Sequence, residues 1–275
     1  MSKSFEGRTV VMSGGSRGIG LAIALAVAHR GGNIVLLAKT DQPHPRLPGT
    51  IHTAAQEIED AGGQAAAIVG DVRNDADIER AVQTAVDTFG GVDIVVNNAS
   101  VLDLSSTADV AMKKFDLMQA VNTRGTFALT KACLPHLIKS DNGHILTLSP
   151  PLNLSPNWLG AHPAYLMAKY GMTLATLGFA AEYAEVPVSA NCLWPQSTIA
   201  TAAVANLLGG DETVSHSRSP QIVADCAIEI LSTPAGSLTG QTLIDVDVLR
   251  AAGHTDLSGY GGTDPISLDI FVDEA

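Results

Sequence analysis

Arg8-Thr9-Val10-Val11-Met12-Ser13-Gly14-Gly15-Ser16-Arg17-Gly18-Ile19-Gly20 is the stretch that decides how the rest of the chain is read. An apolar β-type run ends in a turn with glycines at 14, 18 and 20, and an alanine- and leucine-rich helical pattern begins at once. Strand, turn and helix follow one another directly. Glycine at these places lets the backbone bend tightly, approach a diphosphate with no Cβ in the way and pack the helix on the strand. The helix N-terminus supplies free N–H groups and positive potential. The spacing is Gly-x-x-x-Gly-x-Gly, not the Gly-x-Gly-x-x-Gly of the commoner dinucleotide fingerprint, and a glycine-rich turn by itself also serves plain structural ends. What surrounds it must decide.

Outward from the turn, Ile19, Ile23 and Val27 give the helix one apolar face, and Gly31-Gly32 stops it. Residues 33–38 read as a second buried strand ending at Lys39-Thr40, and the proline-rich run 41–49 as a loop. Helix 51–61, strand 65–69 ending at Asp71-Val72, and helix 78–89 come next. Strand 92–96 then ends in Asn97-Asn98-Ala99-Ser100. Two long helices, 113–138 with Asn122 inside it and 164–183, flank strand 144–148. Strand 186–193 runs into Trp194-Pro195-Gln196-Ser197-Thr198, and helix 221–231 precedes strand 241–246. This alternation predicts an α/β, Rossmann-type, doubly wound and mostly parallel seven-stranded sheet with helices on both faces. Its ligand crevice lies at the carboxyl ends of the strands. No repeat or linker marks a second domain, so residues 1–275 are expected to form one, with a core over 6–248 and an irregular acidic tail over 249–275.

Composition sets the outer limits. Of the 275 residues 46% are hydrophobic and only 4% aromatic, so the interior must be mostly aliphatic, which suits helices packed on a parallel sheet. Cys133, Cys192 and Cys226 are too few and scattered for a disulfide frame or zinc cluster, and are expected to be buried and reduced. A formal charge of -12 argues against nucleic acid or an anionic membrane as partner. No apolar run approaches the roughly 18 residues of a membrane span, and no signal sequence precedes the first strand, so a cytoplasmic protein is expected. The histidines show no metal spacing and no metal is expected. Asp245, Asp247, Asp256, Asp264, Asp269, Asp273 and Glu274 read as a diffuse, solvated tail, with calcium binding the lesser alternative. Trp158 and Trp194 fall near the mouth of the crevice, where packing is the default and substrate contact the runner-up.

Tyr165-Leu166-Met167-Ala168-Lys169 puts a phenol and an ammonium one helical turn apart on one face. Lys169 is placed to lower the phenol's pKa from about 10 and to anchor a ribose, making Tyr165 a usable acid or base. Alone, such a pair is usually an ordinary surface pair. In company with the glycine turn, Asn97-Asn98-Ala99, Asn122 in a Val-Asn-Thr context and the Ser149 region, in that order, it resembles the short-chain dehydrogenase/reductase family over about residues 6–248. The resemblance implies Tyr165 as acid/base, Lys169 as its pKa partner, Asn122 as holder of a proton-relay water and Ser149 as a candidate for polarising the substrate carbonyl. It implies cofactor contacts from Gly14, Ser16, Arg17, Gly18, Ile19 and Gly20 in the turn, from Lys39, and from Asp71 and Val72 beside the adenine. Asn98, Ala99, Tyr165 and Lys169 would frame the cofactor further, with Pro195, Thr198, Ile199 and Thr201 on the nicotinamide side.

Two departures stand out against that family pattern. The usual Ser-Ser at the fifth strand end is Ser149-Pro150 here, so a proline occupies the catalytic slot and Ser149, one residue early, either reaches substrate around the bend or merely caps the strand. The usual Pro-Gly after the sixth strand is Pro195-Gln196. The resulting expectation is an oxidoreductase moving hydride between NADP(H) and a carbonyl or secondary alcohol, on a lipophilic, fatty-acyl or steroid-like small molecule. NADP(H) is preferred because Lys39 ends the second strand and Arg17 stands in the turn, although Asp41 argues for NAD(H). The rival is a dinucleotide-binding sensor or scaffold, which Pro150 favours; reduction of an enoyl C=C is a third reading. Alanine-rich faces on the two long helices suit a homodimer or homotetramer.

Overall fold

A computed structural model of the protein describes residues 4–44, 47–207 and 210–273; Pro45 and Arg46 of the proline-rich loop and Glu274 of the acidic tail lie outside the described residues. Seven parallel strands form one sheet: β1 (Thr9–Ser13), β2 (Asn33–Ala38), β3 (Gln64–Val69), β4 (Ile94–Asn97), β5 (Gly143–Leu148), β6 (Val188–Trp194) and β7 (Thr242–Ile244). Their order is β3-β2-β1-β4-β5-β6-β7, so the chain reverses its direction of travel across the sheet between β1 and β4. In such sheets the ligand crevice opens at that reversal, beyond the carboxyl ends.

The helices fall into two layers. α1 (Gly18–Ala28) and α2 (Ile51–Asp60) cover one side of the early strands, and α3 (Asp75–Phe89) the other. Then come α4 (Met112–Met118), a π turn over Gln119–Arg124, α5 (Gly125–Leu137), α6 (Pro156–Ala161) and α7 (Pro163–Glu182). α8 (Ala202–Leu207), α9 (Gly210–Ser215), α10 (Gln221–Leu231) and α11 (Asp245–Ala251) complete the set. Alternate strand residues feed the two cores: Val10, Met12, Ile34 and Leu36 pack with α1 and α10, while Val11, Val35, Leu37 and Val95 pack with α3 and α5. The inner strands are therefore buried at every position, and mostly apolar, as a sheet covered on both faces requires.

Register aligns the carboxyl ends. Ser13 pairs with Asn97, Asn97 with Thr147, and Thr147 with Cys192. This polar row is internally bonded, Asn97 Nδ2 donating to Thr130 Oγ1 at 2.9 Å and Thr176 Oγ1 donating to Thr147 Oγ1 at 2.8 Å. The strand ends that face the crevice are thus tied to α5 and α7.

Two elements differ from the sequence expectation. The helix expected over 113–138 is interrupted by the π turn, whose extra residue swings Asn122 fully inside. The Asn122 side chain clamps the backbone of one residue, accepting from Val101 N–H at 2.7 Å and donating to Val101 C=O at 3.0 Å. The tail is not irregular throughout. Asp245 starts α11 because its carboxylate accepts the N–H groups of Val246 and Gln196, which also ends β7 at Ile244. Asp256 and Asp264 are exposed as expected, but Asp245 is fully buried and 267–273 folds back onto the ends of β5 and β6.

Candidate active site

The β1–α1 turn forms a bare cradle. Gly14 has φ +74°, and a Cβ there would lie 2.9 Å from Ala99 Cα; one on Gly20 would lie 2.6 Å from the Gly14 carbonyl. Only glycine lets the strand end, the helix start and the Asn98-Ala99 segment approach so closely. Arg17 is the N-cap of α1 and makes no side-chain cap, which leaves the helix's first N–H groups without that partner. Asn98 Nδ2 donates to the Gly14 carbonyl at 2.7 Å and Ala99 N–H to Ser13 Oγ at 3.2 Å, which ties β4 to the turn. Ser16 is buried in the turn, Ile19 packs on the core beneath it, and Thr201 lies against Gly18. A short-sided cradle of backbone amides at a helix N-terminus fits a diphosphate.

At the far end of the crevice, Lys39 is 61% exposed and sits 3.4 Å from the Asp71 carboxylate. Hydrogen bonds from Arg73 hold Asp71 down to about 2. Val72 is buried against Gly125. Arg17 spans from the turn to the proline-rich loop, its Nε and Nη2 donating to the carbonyls of Pro48 and Gly49 at 3.0 and 2.9 Å. Asp41 is engaged by His52 at 2.7 Å.

Tyr165 and Lys169 both point into the molecule, 5% and 3% exposed. Lys169 Nζ donates to the Leu148 carbonyl at 2.8 Å and lies 4.9 Å from the centre of the Trp194 ring. Burial brings the ammonium down to about 7, opposed by the nearby Asp269 charge. The phenol is not lowered in the chain by itself. Burial pushes Tyr165 up, the Asp269 charge adds to the rise, and a hydrogen bond with the Ser100 side chain opposes it. The lysine ammonium is hydrogen-bonded to a strand-end carbonyl instead of to the phenol.

Ser149 is fully buried and its Oγ forms no well-formed hydrogen bond; it lies beside the Cys192 thiol, with Thr173 and Thr176. Thr173 Oγ1 donates to the Pro150 carbonyl at 2.7 Å, so the proline bend is anchored to α7. The hydroxyl beside the phenol belongs to exposed Ser100, directly after Asn97-Asn98-Ala99. It was there to be found, as a hydroxyl at a strand end facing the crevice. On the nicotinamide side of the family pattern, Pro195 and Ile199 are buried, Thr198 Oγ1 meets Ser217 Oγ at 2.7 Å, and Thr198 N–H donates to the Ser267 carbonyl at 2.9 Å. Gln196, in place of glycine, uses its side chain to accept from Arg218 at 3.3 Å.

The tail supplies what sequence reasoning missed. Phe271, 2% exposed, is ringed by Tyr170, Trp158, Tyr165 and Trp194 at centroid distances of 5.4, 5.8, 6.1 and 6.4 Å. Asp269 acts on both Tyr165 and Lys169, and burial pushes its carboxyl up to about 7. The signal was faint: Leu268-Asp269-Ile270-Phe271-Val272-Asp273 sets an apolar run of three between two aspartates in an otherwise polar tail. Among the described residues no group of three or more His, Cys, Asp or Glu is placed to hold a metal ion, and the three cysteines are free and buried. No helix among them is long and apolar enough to cross a membrane.

A doubly wound parallel sheet with a glycine cradle at the chain reversal, and a Tyr–Lys pair on α7, defines a nicotinamide-dinucleotide-dependent oxidoreductase class. The chain belongs to the short chain dehydrogenase family, whose model matches residues 8–209. It is 49% identical over 269 residues to hydroxysteroid dehydrogenase-like protein 2 of Danio rerio, an alignment covering 97% of this chain but 64% of that relative's length. A short chain dehydrogenase from Mycobacterium thermoresistibile superposes with a TM-score of 0.93 at 52% identity, covering 98% of this chain and 97% of that one. A Xanthomonas campestris crystal structure gives 0.94 at 50%, covering 98% and 100%.

Proposed function

We propose that the protein interconverts a carbonyl and a secondary alcohol, with Tyr165 as the proton donor or acceptor at the substrate oxygen. The observation that carries this is the Tyr165–Lys169 pair, one turn apart on α7 and both buried, with the Ser100 hydroxyl on the phenol. When bound, the nicotinamide dinucleotide supplies the hydride chemistry. The backbone amides of 18–20 hold its diphosphate, and Asn98 keeps the turn in shape. Lys169 carries positive charge next to the site where phenolate character develops, Asn122 fixes the Val101 peptide beside it, and the phenol gives its proton to the carbonyl oxygen. The polarising hydroxyl is Ser100 in this reading, because Ser149 is turned into the packing beside Cys192. NADP(H) is the favoured cofactor, supported by Lys39 at the end of β2 and by Arg17 held at the lip of the turn. A lipophilic substrate suits the wall after β5, where Leu152, Leu154 and Leu159 are exposed and a cleft of about 350 Å³ opens between Trp158 and Ile270. Free cysteines and an acidic surface support a cytoplasmic setting.

Self-association is part of the same proposal. Phe127 on α5 and Met167 and Leu174 on α7 are 51%, 54% and 58% exposed. Phe127 also lines a groove of about 1160 Å³ between α3 and α5 that contains none of the site residues. Sedimentation at micromolar concentration reading a monomer would reject a dimer or tetramer built on these faces.

The test of function is Tyr165→Phe, which removes one hydroxyl and leaves Lys169 and the cradle. Turnover on a panel of ketones, alcohols and acyl thioesters falls by about 100- to 10,000-fold while dinucleotide affinity survives. Ser100→Ala costs about 100-fold or more and Ser149→Ala little; the reverse ranking returns the role to Ser149. Pro150 and the raised phenol favour one rival, a dinucleotide-binding sensor. Tight cofactor binding by a wild type that turns over nothing on the panel would establish it.

A further inference from the structure

A third apolar cluster lies at the carboxyl end of β6, apart from the two cores of the sheet, and the Tyr165 phenol is inside it. Three of its rings belong to elements that stand without the tail: Tyr165 and Tyr170 on α7, and Trp194 at the end of β6. Tyr170 is pinned by Asn153, accepting its N–H at 3.0 Å and donating to its carbonyl at 2.6 Å. Trp158 of α6 adds a fourth ring. Together they form a box filled by Phe271, whose ring centre lies between 5.4 and 6.4 Å from each of theirs and which stacks on Tyr165 at 20° between ring planes.

The filling ring is held unevenly. Up to Ile270 the segment is bonded through its backbone: Thr198 N–H donates to the Ser267 carbonyl, Asp269 N–H to the Gln196 carbonyl and Trp194 Nε1 to the Ile270 carbonyl, each at 2.9 Å. From Phe271 onward the short bonds to the rest of the chain are made by the exposed Asp273 side chain, which accepts from Asn153 and Trp158, each at 2.7 Å. The Phe271 carbonyl meets Asn153 Nδ2 only at 3.5 Å. Among the described residues Phe271 is also the one non-glycine residue with a left-handed backbone, at φ +74°. Strain of this kind persists where the surroundings compensate it, and it collects at clamps and switches. Leu268, Ile270, Val272 and Asp273 line the cleft of about 350 Å³ against α6, while the Phe271 ring lies outside that lining and fills the box.

We propose that the segment 267–273 is a lid and Phe271 its placeholder: a ketone or secondary alcohol carried on a flat, phenyl-sized ring takes the place of the Phe271 ring when the lid lifts from its weaker end. The inference rests on the proposed activity for the role of Tyr165, and adds to it the class of substrate. A ring in that place lies against the phenol. Three walls of the box remain when the lid lifts, because α7 and β6 hold them. Ring and ligand compete for one place, so the closed lid lowers apparent affinity by the fraction of molecules that are open.

That competition has a sign that a fixed wall would reverse. The probe is 4′-fluoroacetophenone, followed by 19F NMR with NADP+ present, so that no hydride is available. In Phe271→Ala the place is empty and the probe binds at least about tenfold more tightly than in wild type, as expected when the competent state is a minor one. Phe271→Tyr keeps the ring and binds as wild type does. In wild type the probe displaces the ring and speeds amide exchange at 271–273. Equal or weaker binding by Phe271→Ala, or no saturable binding by either chain, overturns the proposal. So does unchanged or slower exchange at 271–273 with probe bound, and this measurement decides alone if Phe271→Ala does not fold. The activity is judged separately. A chain that turns over the panel while the probe protects the tail keeps Tyr165 as acid/base and loses the lid; one that binds the probe in competition with Phe271 yet turns over nothing keeps the lid and loses the activity.

Discussion

Phe271→Ala removes the ring that seats the tail. The side chain is 2% exposed, with four aromatic neighbours within 6.4 Å, so truncation costs about 3–5 kcal/mol of docking, the range for a buried phenylalanine. Terminal segments open locally for less than the global free energy, and a loss of that size detaches 267–273 while the sheet stays folded. The ring is absent from both large cores, so the urea midpoint of the sheet moves little. Phe271 also has φ +74°, a left-handed backbone that an alanine finds unfavourable. Phe271→Gly therefore docks at least as well as Phe271→Ala, although glycine is ordinarily the worse of the two. The protein has two tryptophans, and both report the event: Trp158 and Trp194 touch the ring and donate indole N–H groups to the tail. Emission without denaturant shifts to the red in both variants, with amide exchange accelerating over 267–273. Unchanged emission, or glycine worse than alanine, would refute the packing argument.

Lys39→Ala lowers NADP(H) affinity by about ten- to a hundredfold and leaves NAD(H) affinity nearly unchanged by calorimetry, since a charged contact to a phosphate contributes about 1.5–3 kcal/mol; an equal loss for both cofactors rejects the preference. Gly20→Ala drives a methyl to 2.6 Å from the Gly14 carbonyl and 2.5 Å from Asn98 Nδ2, both pinned, and costs about 1–3 kcal/mol of stability together with dinucleotide binding, read by denaturation and calorimetry. His144 is buried with its Nε2 3.1 Å from the Thr233 carbonyl, and desolvation lowers it to about 4. The unfolded chain binds that proton more tightly, so the contribution is whole above about pH 6.5 and lost as pH falls towards 4. By pH 5 the loss is about 2 kcal/mol, and a folded His144→Gln variant shows a correspondingly flatter stability profile between pH 7 and 5.

The order of elements was legible in the residues. Buried parallel strands carry apolar runs, helices carry a 3.6-residue face, and glycines mark their ends, so β1, α1 and α10 stand where the pattern puts them. The placement of Tyr165 and Lys169 on one face likewise follows from helix geometry alone. The directions taken by residues at bends were not legible. The Pro150 bend turns Ser149 to Cys192, and the π turn buries Asn122 against Val101, through neighbours far along the chain. Asp269 and Phe271 were the hardest to see, because nothing periodic links a tail to a helix about a hundred residues earlier. Local sequence determines which backbone shapes are cheap; which distant side chains meet depends on where the folded sheet leaves strand ends and aromatic rings to be covered.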